Sequence, residues 1–321
     1  MLFRNHSTSF LRLKGSRVVD KAEVKILATV ANEAAAIRSF LSWAVDPSNQ
    51  GSAIPRSSKD IANERAMIAG IFRPLARLAG TAQRIAPLSG VELDRINKMI
   101  GPDRHDDGRL VLPLRFSEHN PFRPANRLRN WLMYAIAYQC GLRRGELLKI
   151  RLDDVPKLKD VGLKVRRRPY DKSDTRRYKP SVKTAERAIT ISDEIRVGLR
   201  AYLSSRQPIG RVSGRTPYLF VSSDGAPLSI TAADGITKII SRHGEISDLS
   251  WHSLRHTWAE SLAGDLLEKY PEEQTLAFLR ELGGWKSNSP TPLHYIQNAM
   301  ARCANEFLRE RNSRLYQSAE S

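Results

Sequence analysis

The segment ANRLRNWLMYAIAYQC, residues 125–140, constrains this chain more than any other. Its apolar side chains belong in an interior, and its length suits a helix that other elements must cover. Gly141 stops it, because glycine accepts the left-handed conformation that ends many helices, and RRGELLKI begins another helical turn directly after. A chain of 321 residues can supply that cover, with a substantial core and two domains. No stretch approaches the roughly 18 consecutive apolar residues of a membrane span. The N-terminal residues lack an apolar run ending in a small-residue cleavage site, so a cytoplasmic protein without membrane association is expected. Cys140 and Cys303 make neither a metal motif nor a disulfide framework and read as reduced thiols.

Most other segments are helical by pattern. Residues 23–44 are rich in Ala and Leu and predict a helix. PSNQGSAIPRSS (47–58) breaks it, and 59–80 predict a second helix in which Pro74 starts a turn or a kink. With 1–20 as a loose basic arm, residues 1–86 read as a small basic helical domain, and 87–321 as a larger one. Within 87–100, Ser89 and Glu92 have the spacing of a capping box. Residues 101–124 form a polar connection with room for one short strand. Residues 161–168 and 187–192 are strand-like. Helices are predicted at 193–205, 230–243, 250–263, 271–282 and 296–315. The fold class is therefore mainly α with a small antiparallel β-sheet.

Charge is the strongest functional signal. Fifty-two Lys and Arg against 34 Asp and Glu give a net +18, which calls for a polyanionic partner. Nucleic acid is favoured over an anionic membrane, because no terminal basic amphipathic helix or lipidation signal accompanies the charge. The excess is densest over residues 161–188, from the first strand to the start of the second. There Lys164, Arg166, Arg167, Arg168, Lys172, Arg176, Arg177, Lys179, Lys183 and Arg187 face only three acids, Asp171, Asp174 and Glu186. This hairpin is expected to touch the polyanion.

A second concentration of chemistry is WHSLRHTW, residues 251–258. Asp248 or Ser250 can cap a helix here, with Trp251, Leu254, Trp258 and Leu262 as a core-facing stripe. His252, Arg255 and His256 then share an adjacent face. The two histidines have the spacing of a zinc pair, but Ser253 stands where a zincin helix needs Glu, and no cluster supplies a third ligand. No metal or cofactor is expected. An Arg–His pair that grips a phosphate fits better, since guanidinium offers parallel donors and histidine moves protons near neutral pH. Such chemistry needs further cations, a nucleophile and an acid for the leaving oxygen. Arg143 lies in the turn of YQCGLRRGELL, with Glu146 placed to hold an arginine by an ion pair. Lys183 lies in VKTAERAITI. ELGGWKSNSPTPLHYIQ brings Trp285, Lys286 and then Tyr295, expected to be mobile and exposed at the mouth of the last helix.

In order and spacing, CGLRRGELL, VKTAERAITI, HSLRHTWAESLA and LGGWKS with HYI resemble the tyrosine recombinase family of phage-integrase type, over residues 89–300. The resemblance implies a helical core-binding domain (1–86) followed by an α+β catalytic domain (87–321), the two closing on duplex DNA as a clamp. It implies a site-specific recombinase or integrase that cuts a strand through a covalent 3′-phosphotyrosine, leaves a 5′-hydroxyl and rejoins the ends without metal. Arg143 and Arg255 would clamp the nonbridging oxygens of the scissile phosphate. Lys183 would protonate the leaving oxygen, His252 would assist proton transfer, Trp285 would donate its indole N–H, and Tyr295 would attack. Glu146 and His256 would support them, and Lys286 would join the basic hairpin on DNA. Double-stranded DNA would be the partner, with four protomers assembled on two duplexes, a monomer in free solution, and a C-terminal helix docked on a neighbour.

The chain departs from the family pattern in places. Tyr295 lies one residue further from Trp285 than the common spacing, which puts His294 where a strict count would place the nucleophile. The stretch between Arg255 and Trp285 is long. So is the excursion before Lys183, which leaves Lys172 and Lys179 as alternatives for the general acid. A type IB topoisomerase-like enzyme and a noncatalytic DNA-binding protein of the same fold are the rival readings.

Overall fold

The computed structural model describes residues 11–13, 16–19, 21–46, 49, 57–79, 86–157, 162–182, 184–206, 216–247 and 249–317. The chain forms two compact units, residues 1–84 and 85–321. In the first, β1 (Leu11–Leu13) and β2 (Ser16–Val19) pair antiparallel, where the sequence pattern predicts only a loose arm. They precede α1 (Lys21–Ala44) and α2 (Ser58–Ala79). Helix α2 continues past Pro74 instead of turning there. A proline removes one hydrogen bond from a helix, a cost that the bonds on either side can carry. Ala31, Ala34 and Ile68 are buried in this unit, and Arg65 meets Asp46 at 2.6 Å.

The second unit begins with α3 (Gly90–Ile100), capped by Ser89, whose side chain accepts from the Glu92 N–H while the Glu92 carboxylate accepts from the Ser89 N–H. Isolated bridges between Pro102 and Phe116 and between Arg104 and Leu110 take the place of a strand in the connection that follows. Helix α4 (Pro124–Cys140) is buried continuously from Asn130 to Ala137. It ends at Gly141, whose φ of 59° is left-handed. A Cβ there would lie 2.0 Å from the Trp258 ring, so conformation and close approach both require glycine.

Next come α5 (Arg144–Lys149), β3 (Gly162–Val165) and β4 (Arg187–Thr190). The two strands pair antiparallel, with Gly162 opposite Thr190 and Val165 opposite Arg187. The rest is helical: α6 (Asp193–Arg206), α7 (Ile230–His243), α8 (Trp251–Leu267), α9 (Glu272–Gly283) and α10 (Thr291–Gln317). The fold is mainly α with a small antiparallel sheet, and among the described residues no helix is long and apolar enough to cross a membrane.

Helix α8 serves two cores. Trp251 and Leu254 belong to the large cluster built around α4, while Trp258, Ala259 and Ala263 belong to a second one with Leu279, Trp285, Tyr295, Ile296 and Ala299. Each buried side chain of Leu or Ile size contributes roughly 1.5–3 kcal/mol. The stripe read from the sequence is therefore real for Trp251, Leu254 and Trp258. On the adjacent face His252 is exposed and His256 half-buried, but Arg255 is only 2% exposed.

The long excursion between β3 and β4 folds back onto the body through buried charges. Lys149 Nζ lies 2.7 Å from Asp174 and 3.5 Å from Asp171. Arg151 meets Asp171 at 2.5 Å, and the Tyr218 hydroxyl donates to the same carboxylate. Arg176 donates to both oxygens of Asp174 and to the carbonyls of Leu148 and Leu228, with its guanidinium 4.5 Å from the Tyr218 ring centroid. Arg176 thus belongs to the interior, which corrects its expected place on DNA. Arg168 is largely spent on Asp154 at 2.7 Å. Lys172, Arg166, Arg167, Arg177 and Lys179 remain exposed, with Lys164 half-buried.

Candidate active site

A cleft of about 660 Å³ opens in the second unit, with Arg143, Thr184, His252, Arg255, Trp285 and Tyr295 among its lining residues. Each comes from a different local cause. Arg143 follows the left-handed Gly141 and occupies the N-cap of α5, where its N–H donates to Glu146 Oε2 at 2.8 Å. The N-cap of α8 is Ser250, which sets the phase that presents His252 and Arg255. Trp285 follows the C-cap of α9, and Tyr295 lies in the opening turns of α10.

The arginines are fixed differently. Arg255 donates to the carbonyl oxygens of Gly141 at 2.6 Å and Gly283 at 2.8 Å, and lies 4.2 Å from the Trp285 ring centroid. Arg143 lies 5.8 Å from the same ring, and its buried Nη1 has no hydrogen-bond partner among the described residues. Between them sits the Glu146 carboxylate, 3.9 Å from each guanidinium. Its close partner is Arg187, which donates to Oε1 at 3.0 Å and to Oε2 at 3.2 Å, and the Thr184 hydroxyl donates to it as well. Glu146 therefore holds an arginine as expected, but the arginine comes from β4. The Arg187 side chain is only 3% exposed and is engaged by Glu146, which corrects its expected place on DNA.

On the aromatic side, His252 and His256 bring their Nε2 atoms to 2.9 Å. The His256 ring stands 5.3 Å from the Tyr295 ring, which lies 5.7 Å from Trp285. Tyr295 is 4% exposed, not the exposed residue expected. The helix starts at Thr291 instead of 296, so Tyr295 packs with Ile296 and Ala299 in the second core. His294, the rival by count, is exposed and does not line the cleft. Lys286 is exposed on its rim, and Lys183 lies outside the described residues.

These positions set the charges. Burial lowers Arg255, with the Arg143 guanidinium adding to it, to about 9, so it stays cationic at neutral pH. Burial likewise lowers Arg143. Burial alone would push the Glu146 carboxyl up, but Arg187, Thr184 and the Arg143 N–H outweigh it and hold the group below its usual range. His256 is lowered to about 4 by burial, by His252 and by Arg255, and burial lowers His252 too, so the pair is neutral at pH 7. Burial raises the Tyr295 phenol, while Arg255 and Arg143 pull it back. The cleft thus offers two cations, neutral proton acceptors and a phenol, the inventory for transfer to a phosphate ester. Among the described residues no group of three or more His, Cys, Asp or Glu is placed to hold a metal ion.

Sequence reading missed Thr184 and the inward role of Arg187. The signal for Arg187 was strand alternation, since it shares a face of β4 with the buried Ile189, two residues on.

The sequence model described as Phage integrase family matches residues 115–302, more than half of the chain. Tyrosine recombinase XerD of Corynebacterium glutamicum is 26% identical over 162 residues, which cover 50% of this chain and 48% of that protein. The chain thus spans about half the length of that curated relative. The structure of the XerH site-specific recombinase bound to palindromic difH substrate, a post-cleavage complex, matches with a TM-score of 0.54 at 16% identity, over 89% of this chain and 70% of that one. At that identity the likeness is one of fold.

Proposed function

This chain belongs to the phage integrase family of tyrosine recombinases, and from that membership and the geometry of its cleft we propose that it cuts and rejoins duplex DNA at specific sites. The observation that carries the reading is the convergence of Arg143, Arg255, His252, Trp285 and Tyr295 on one cleft from separate elements. Tyr295 Oη attacks the scissile phosphorus, the bond to the 5′ oxygen breaks, and a 3′-phosphotyrosine and a free 5′-hydroxyl result. The phenolic proton passes toward the neutral histidine pair, in which His256 stands beside the Tyr295 ring and His252 contacts His256. Lys183 supplies a proton to the leaving oxygen, with Lys172 and Lys179 as alternatives. Arg143 and Arg255 stabilise the charge that grows on the nonbridging oxygens, where each donor is worth about 10²–10³ in rate. The Trp285 indole N–H adds a donor, and Glu146 and His256 support the site. The first unit serves as the core-binding domain.

Duplex DNA approaches over the exposed cations Arg166, Arg167, Lys172, Arg177, Lys179 and Lys286, with Lys164 beside them. Four protomers assemble on two duplexes. The distal part of α10 suits docking on a neighbour, because residues 301–314 are exposed and include Phe307 and Leu308. The test incubates the chain with a library of nicked duplexes and maps any covalent adduct by peptide mass. The adduct is expected on Tyr295, lost in Tyr295→Phe and kept in Tyr270→Phe. Absence of an adduct with every duplex overturns the proposal. Relaxation of supercoiled DNA without strand transfer between two duplexes would assign the topoisomerase-like alternative instead.

A further inference from the structure

We infer that Arg187 is a positioning residue that occupies the Glu146 carboxylate and so keeps it from closing on Arg143 and Arg255. The inference rests on the phosphate-transfer reading of the cleft. Glu146 has a side chain with no exposed surface and three guanidinium groups around it. A carboxylate in that position makes its strongest contacts with a paired arginine fork, at hydrogen-bond distance. Only Arg187 has such a contact, reaching one oxygen at 3.0 Å and the other at 3.2 Å. Thr184 and the Arg143 N–H take the remaining acceptor capacity. The consequence is visible on Arg143. Its Nη1 is buried and has no hydrogen-bond partner among the described residues, although a carboxylate oxygen lies only 3.9 Å away. Without Arg187, Glu146 would be a buried anion whose nearest cations are the two arginines of the cleft. It would draw them in and cancel the charge they hold for phosphate.

Arg187 also donates from Nε to the Leu282 carbonyl at 2.7 Å, and the Ala185 N–H donates to Gly284 O at 3.2 Å. These two hydrogen bonds tie β4 and the turn carrying Thr184 to the turn before Trp285. The arginine needs no contact with DNA to control the cleft.

The test compares Arg187→Met, Arg187→Lys and the double variant Arg187→Met with Glu146→Gln. The first readout is single-turnover cleavage of a nicked duplex. The second is quenching of tryptophan fluorescence by inorganic tungstate, which needs the arginine pair but no turnover. Arg187→Met is expected to lower cleavage about 100-fold, with duplex affinity within about threefold, and to weaken tungstate binding. Removing the carboxylate in the double variant is expected to restore at least about tenfold of the cleavage rate and to recover tungstate binding. A packing role for Arg187 would give no such rescue. Arg187→Lys, which keeps the charge, is expected to lie between the wild type and Arg187→Met. Cleavage by Arg187→Met within about threefold of wild type, or a double variant no better than the single one in both readouts, overturns the inference. If Arg187→Met melts below the assay temperature, the double variant decides alone: cleavage within about tenfold of wild type supports the inference, and a larger loss overturns it. A wild-type chain that cleaves no duplex counts against the recombinase reading, and the tungstate arm still decides the role of Arg187.

Discussion

Bonded to two backbone carbonyls and stacked on Trp285, the Arg255 guanidinium has one orientation left to offer a phosphate. Arg255→Ala should lower single-turnover cleavage by about 10²–10³, and Arg255→Lys should recover little, because an ammonium cannot span both carbonyls and the ligand. The histidine pair makes a separate prediction. His256 is near 4 in the folded chain and near the ordinary 6.5 when unfolded, so the unfolded state binds the extra proton between those values. Stability should fall as pH drops through that window, and His256→Asn should flatten the melting temperature measured across it. A melting curve as steep in the variant as in the wild type would contradict this. At this scale the motifs of the family resemblance picked out Arg143, His252, Arg255, Trp285 and Tyr295, which the structure brings to one cleft. Burial was less legible. Counting cations cannot tell the interior Arg176 and Arg187 from the exposed Arg177. The burial of Tyr295 depends on where α10 starts, which Pro292 in its first turn could have signalled.

Helix α8 joins two cores, and its substitution costs should divide accordingly. Trp258→Ala removes the ring that packs against Gly141 and stacks near Trp285, at a centroid distance of 6.4 Å. It should cost about 3–5 kcal/mol in urea denaturation and displace Arg255 as well. The excursion between β3 and β4 has its own anchor. Asp174→Ala would leave Lys149 and Arg176 buried without their shared carboxylate, and should cost about 3–5 kcal/mol by the same measurement. Helices with strong apolar patterns were legible from the sequence almost to the residue, including α4 and α7. The pairing of β1 with β2 was not, since segments of three and four residues carry too little alternation to separate from a basic arm. The anchor of the excursion was also hidden, because its partners Lys149, Asp174 and Tyr218 are far apart in sequence.

For the whole molecule, the +18 charge is informative only after the interior cations are set aside. Replacing the exposed Arg167, Arg177 and Lys179 together by Ala should reduce the slope of log affinity against log salt by up to about 2.7, at roughly 0.9 for each phosphate no longer neutralised. An unchanged slope across a salt titration would remove the hairpin from the DNA surface. One further consequence follows from the way Arg255 is moored. Its two carbonyl partners belong to glycines, and a Cβ would lie 2.0 Å from the Trp258 ring at Gly141 and 1.8 Å from the Trp285 ring at Gly283. A saturation mutagenesis map would therefore score these two side-chain-free positions as severely as the arginine they hold. Read as a census of chemical groups, such a map would overcount the reacting machinery, because part of its signal would report the mooring.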